Sequence, residues 1–205
     1  MGNTYKGTKF KNLPCCEHDV EKIGKLLVEK LDFKQENVSK RINVFPEQEI
    51  VNFLKNVEEN DLVFIYFSGH GGNLVSSIHV PKNVGLLSSW INPDGTYFLS
   101  YHLDILLSHI TKKCKIILCS DSCYAGKFLS NYFGKNEIYF IGSSDVATQT
   151  SNYESSNTKY GALTLLFDYL LSNFPDIHME NIKKDTEEFR TKRRFLKYLT
   201  LIHKN

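Results

Sequence analysis

Apolar residues recur along this chain at two different periods. Between Glu17 and Leu31, Val20, Ile23, Leu27 and Leu31 fall at helical spacing, the pattern of a helix with one buried face. A second helix is expected from Pro46, with Ile50, Val51, Leu54 and Val57 on one side. Proline suits a first helical turn, where its missing N–H is not needed. Between the two, "NVSKRINVF" reads as a strand ending near Phe45. Asp61 to Phe67 is a short unbroken apolar run, as in a strand buried on both faces. Lys115 to Cys119 and Glu137 to Ile141 read the same way. The helical period returns at Tyr101 to Ile110, at Tyr160 to Leu171, and at Phe189 to Ile202 in the charged region after Pro175. Gly72 to Phe98 carries Gly, Pro, Asn and Asp-Gly signals and is expected to be irregular. Gly142 to Thr158 is small and polar and reads as a loop.

Strands alternating with helices predict an α/β fold, a mainly parallel sheet with helices on both faces. Functional residues in such folds gather at the carboxyl ends of the strands. The expected organisation is one domain over residues 1–172, with 173–205 as a C-terminal helical extension of it. A chain of 205 residues, 41% hydrophobic and 13% aromatic, can bury a full core and is not disordered by composition. A net charge of +2 with 23% charged residues argues against nucleic acid or a membrane as the dominant partner. The basic residues Lys183, Lys184, Arg193 and Arg194 alternate with Glu180, Asp185, Glu187 and Glu188, as on a solvated helix face. No run reaches the ~18 apolar residues of a membrane helix, and the first residues do not read as a signal peptide. Lys6 stands where the myristoylation pattern wants Ser or Thr. Five cysteines, an odd number, read as reduced thiols in a cytoplasmic protein.

Two of the buried runs end in unusual turns. "LVFIYFSGHGG" delivers His70 between glycines, and "KIILCSDSCYAG" delivers Cys123. A cysteine attacks a carbonyl as its thiolate, and histidine is the usual base that generates it. Glycines beside His70 permit close approach of a substrate backbone. The N–H groups of Gly71 and Cys123 are candidates for an oxyanion hole. Asp121 lies two residues before Cys123, where side chains in an extended turn point the same way. Its carboxylate would either bind a cationic side chain or accept from local N–H groups.

Together, "YFSGHG" and "DSCYAG" resemble the two catalytic motifs of caspase-like cysteine peptidases, with the metacaspase and bacterial caspase-like branch closest. "GNTYKGTKFKNLPCCEHDVEKIGKLL" resembles that family's opening loop and first helix, and "KYGALTLLFDYLL" its later Gly-containing helix. The likeness spans roughly Gly2 to Leu171. The spacing also fits, since His70 and Cys123 lie 53 residues apart and caspases place the histidine about 50 residues before the cysteine. The resemblance implies a three-layer fold, His70 as base, Cys123 as nucleophile, Gly71 as oxyanion donor, and a thioester acyl-enzyme.

It further implies a specificity pocket built from Cys16 and Asp19 (a Cys-x-x-Asp), Ser68 and Asp121. Two carboxylates facing one cation select Arg or Lys before the cut bond, so the expected partners are protein or peptide substrates with basic residues there. Arg41, Arg190, Arg193 and Arg194 all lie away from the motifs, which excludes selection for aspartate. Asp19 alone could equally be a helix N-terminal carboxylate, and Cys15 a buried filler. Neither cofactor nor metal is expected. Between the motifs only Asp94, Asp104 and Asp121 are available, and Ser130 stands where calcium-binding members tend to carry Asp. Cys119 and Cys123 are four apart and Cys114 adds no Cys-x-x-Cys, so zinc is not expected either. The family has a hydrophobic strand just before its "GN" loop, where this sequence has Met1, and its C-terminal strand is not evident after Phe174. Neighbouring strands are therefore expected to lack partners. Two alternatives stand beside an active peptidase: a non-catalytic caspase-like interaction module, and a legumain-like peptidase of other specificity. Self-cleavage is expected within residues 142–160, for example after Lys159.

Overall fold

The three unbroken apolar runs form the middle of the molecule. The computed structural model describes residues 1–75, 86–144, 160–173 and 200–204. In chain order the elements are α1 (Cys15–Leu31), α2 (Pro46–Leu54), β1 (Leu62–Ser68), β2 (Gly71–Val75), β3 (Leu86–Ile91), β4 (Tyr97–Leu99), α3 (Ser100–Ser108), β5 (Lys115–Asp121), β6 (Glu137–Gly142), α4 (Ala162–Asn173) and β7 (Thr200–Lys204). The central sheet runs β1-β5-β6-β7. Its first three strands are parallel, and β7 pairs antiparallel with β6.

Alternation along these strands divides the interior into two cores. Val63, Ile65, Phe67, Ile116, Leu118, Ile138 and Phe140 face one way and pack with Ile50 of α2 and Leu103 and Leu107 of α3. Tyr66, Ile117, Cys119 and Ile141 face the other way and pack with Ile23, Leu26 and Leu27 of α1 and Leu163, Leu166 and Leu170 of α4. The result is the three-layer α/β architecture expected from a sheet whose strands are apolar on both faces.

Four local expectations are corrected. Residues 38–45 do not form a strand: Ile42 makes a single parallel bridge to Gly2, after a 3-10 turn at Gln35–Asn37. The region read as irregular contains a second sheet, β2-β3-β4, antiparallel throughout. Its turn residues interrupt the apolar period enough to hide short strands. At the C-terminus, 174–199 lie outside the described residues, but 200–204 are strand rather than helix. Leu201 and Ile202 pack into opposite cores, which neighbouring residues achieve on a strand and not on one helical face. A strand after Phe174 is therefore present. Finally, the outer edge of β1 is partly paired. Asn3 N–H donates to Ser68 C=O (3.0 Å), Ser68 N–H to Met1 C=O (3.0 Å) and Gly2 N–H to Arg41 C=O (3.0 Å).

Candidate active site

Parallel pairing of β1 with β5 sets Ser68 beside Asp121. His70 and Cys123 each stand two residues beyond that pair, so the two turns leave the sheet side by side. Gly69 N–H donates back to Asp121 C=O (3.2 Å). The turns touch at Gly71, where a β-carbon would lie 1.9 Å from the Cys123 carbonyl oxygen. Only glycine fits there. Ile91 N–H donates to His70 C=O (3.0 Å), and antiparallel ladders alternate between bonded and non-bonded pairs. Gly71, opposite Trp90, therefore occupies a non-bonded position and its N–H is not consumed by β3.

His70 Nε2 lies 2.7 Å from the Lys11 carbonyl oxygen. A carbonyl only accepts, so Nε2 carries the proton and Nδ1 presents its lone pair. Burial pushes the imidazole below its ordinary pKa, with the Lys11 carbonyl opposing that shift. Cys123 is half-buried. Its turn is completed by Tyr124 in the left-handed region (φ 56°) and braced by the segment that follows β6: Ser144 Oγ donates to Ser122 C=O (2.9 Å) and accepts from Ala125 N–H (3.0 Å). From β3, Ser88 Oγ donates to Tyr124 C=O and accepts from Lys127 N–H.

The four residues expected to form a pocket, Cys16, Asp19, Ser68 and Asp121, also converge. Ser68 Oγ donates to Asp19 Oδ2 (2.7 Å), Gly161 N–H to Asp19 Oδ1 (2.7 Å) and Leu163 N–H to Asp121 Oδ2 (2.9 Å). Both carboxylates thus meet the start of α4, where free N–H groups and the helix dipole favour negative charge. A β-carbon at Gly161 would lie 2.4 Å from Asp121 Oδ2 and 2.9 Å from Asp19 Oδ2, so the two side chains press on one point. Burial, and behind it the charge of Asp19, push Asp121 up to about 7. Burial raises Asp19 as well. Among the described residues neither makes an ion pair. The Cys16 thiol is pushed well up, first by its contact with Cys15 and then by burial. Cys15 itself is half-buried rather than a core filler.

Cys15, Cys16 and Asp19 bring one ligand atom each within 4.8 Å of one another. This trio could hold a soft cation, although both Asp19 oxygens already accept hydrogen bonds. The sequence singled out His70, Cys123 and the pocket but missed their supports: Tyr5, the Lys11 carbonyl, Ser88 and Ser144. Lys159 and residues 145–159 lie outside the described residues.

Comparison with known proteins gives the same lineage. The family profile described as metacaspase, peptidase C14 domain, matches residues 1–132. Metacaspase-6 of Arabidopsis thaliana is 23% identical over 184 residues, covering 83% of this chain and 50% of the relative. Metacaspase-4 of the same plant is 23% identical over 200 residues, covering 92% of this chain and 47% of the relative. The chain thus spans about half the length of these curated relatives. Among solved structures, protein GSU0716 from Geobacter sulfurreducens superposes with a TM-score of 0.68 at 16% identity, covering 100% of this chain and 92% of that one, a likeness of fold. With the profile covering well over half the residues, the chain belongs to the metacaspase family of C14 peptidases.

Proposed function

We propose that this chain is a cysteine endopeptidase that cuts after Arg or Lys, with His70 as base and Cys123 as nucleophile. The observation that carries the reading is the convergence of two turns and two carboxylates at one pair of strand ends: Gly71 against the Cys123 backbone, and Asp19 and Asp121 together behind Ser68. Nδ1 of His70 takes the Cys123 thiol proton. The thiolate adds to the substrate carbonyl carbon, and the oxyanion is received by the N–H groups of Gly71 and Cys123. Collapse breaks the C–N bond, and the imidazolium gives its proton to the leaving amine. The thioester is then hydrolysed by water, which loses its proton to His70, releasing a carboxylic acid product and restoring the thiol. The cationic side chain before the cut bond sits against Asp19 and Asp121, with Ser68 and Cys16 completing the wall. Protein or peptide substrates with basic residues are the partners this chemistry fits. Self-cleavage after Lys159 belongs to the same reading, and an intact band persisting in active enzyme counts against it. The absence of any described helix able to cross a membrane and the five free thiols are compatible with work in the cytoplasm.

A second reading has one observation behind it. Asp19 has no exposed surface and Asp121 is 6% exposed, both covered by Gly161 at the start of α4. A module that keeps these carboxylates covered would bind partners without cutting them. Intact-mass analysis with a peptidyl Arg chloromethyl ketone separates the two. Stoichiometric addition that disappears in Cys123→Ala supports the peptidase. No addition to a folded sample supports the non-catalytic module.

A further inference from the structure

We infer that Tyr5 is a positioning residue for His70, acting through a hydroxyl inserted into the backbone ladder that carries the histidine. The inference rests on the reading of His70 as the base. In an antiparallel bonded pair the two residues exchange both N–H···O=C bonds. His70 and Ile91 make one of them, Ile91 N–H to His70 C=O (3.0 Å). The reciprocal bond is replaced by a relay: His70 N–H donates to Tyr5 Oη (3.0 Å), and Tyr5 Oη donates to Ile91 C=O (2.6 Å). One hydroxyl thus stands between His70 N–H and Ile91 C=O, where the ladder would otherwise close directly.

The tyrosine ring adds a second restraint. Its centroid lies 4.6 Å from that of the imidazole, at 49°, and Phe10 supplies another wall at 5.8 Å. Tyr5 is 2% exposed. Gly69 is fitted to it, since a β-carbon there would lie 2.8 Å from Tyr5 Oη. Tyr5 takes a left-handed backbone (φ 59°) that starts the turn leading to Lys11, whose carbonyl holds His70 Nε2. One short segment therefore fixes the histidine at its backbone N–H, its ring face and its Nε2. Nδ1 is the ring nitrogen that keeps its lone pair.

Removing the hydroxyl has a specific consequence. In Tyr5→Phe, His70 N–H and Ile91 C=O can close on each other directly, while Asn3 Nδ2 still donates to Ile91 C=O (3.3 Å). The ladder is repaired, but the imidazole shifts away from the Lys11 carbonyl. The variant should therefore fold and lose the pose of the base.

The test measures kcat and KM of wild type and Tyr5→Phe on an Arg peptide, together with the His70 tautomer by long-range ¹H–¹⁵N NMR of histidine-labelled protein. The expected result is a loss in kcat of between about tenfold and a hundredfold, the scale of a misplacement near 1 Å, with KM unchanged. Wild type should show His70 as a single Nε2–H tautomer, and Tyr5→Phe an averaged one. The inference is overturned if kcat is unchanged, if the loss falls on KM, if the tautomer is the same in both proteins, or if wild type itself lacks the Nε2–H form. Should wild type show no Cys123-dependent hydrolysis, the peptidase reading fails, and the tautomer spectra still decide the role of Tyr5.

Discussion

Gly71 has no room for a side chain. A methyl group there would meet the Cys123 carbonyl oxygen at 1.9 Å, and backbone on both sides leaves nothing flexible to yield. Gly71→Ala is expected to push the two turns apart and lower kcat/KM by about a hundredfold or more, the scale of an ångström-size misplacement. Activity within a few-fold of wild type would show that the turns need not touch. A second expectation concerns charge. Asp121 stands near 7 because burial and Asp19 disfavour its ionised form. Below that pH the carboxyl is neutral and attracts no cation; above it the charge is present. Inhibition by agmatine, a cation that undergoes no reaction here, should therefore strengthen about tenfold between about pH 6 and about pH 8. Asp121→Asn should abolish that slope. A flat profile in wild type would mean that agmatine does not meet this carboxylate. Residues such as His70, Cys123 and Asp121 were legible because their side chains are of types that can carry chemistry and their neighbours are distinctive. Tyr5 and Lys11 were not, because one acts through a hydroxyl in a ladder and the other through a carbonyl that every residue has.

Helix α3 steadies the chain beyond Cys123 through a single buried carboxylate. Asp104 Oδ1 accepts from Leu129 N–H (2.8 Å) and Oδ2 from Asn131 N–H (2.9 Å), and Ser108 Oγ, one turn on, accepts from Phe133 N–H (3.0 Å). Leu129 is fully buried in the left-handed region (φ 62°), a conformation that needs such support. Asp104→Ala leaves two N–H groups without acceptors and is expected to cost about 2 to 4 kcal/mol in urea unfolding. A smaller loss than about 1 kcal/mol would mean that water replaces the carboxylate. In the sequence Asp104 was one of only three carboxylates between the motifs, too few for a calcium site, and nothing local tells which loop will lie against it. The elements around it were easier. The apolar runs of β1, β5 and β6 and the faces of α1, α2 and α4 declare themselves by period, whereas β2 to β4 are short, with glycines opening β2 and Ser88-Ser89 interrupting β3, and only their pairing makes them a sheet.

For the molecule as a whole, closure depends on residues far apart in the chain. β7 caps the sheet beside β6, with Leu201 in one core and Ile202 in the other, and His203 stacked on Tyr139 (4.2 Å) and bonded to Glu137 (3.1 Å). Ile202→Ala is expected to lower stability by about 1 to 2 kcal/mol, less than a fully buried isoleucine would lose, with kcat unchanged because β7 lies two strands from β5. A fall in kcat without a fall in stability would assign the C-terminal strand a part in the site. The three layers were foreseeable from strands apolar on both faces. The strand at the C-terminus was masked by a helical period in the residues preceding it. The central claim concerns what the completed fold does at its two facing turns. Its most direct test is hydrolysis of fluorogenic peptides ending in Arg, Asn or Asp, by wild type and by Cys123→Ala, on samples shown to be folded by circular dichroism. Release from the Arg peptide alone, lost in Cys123→Ala, is the expected result. Equal release in the variant, or release from the Asn or Asp peptide instead, would contradict the account.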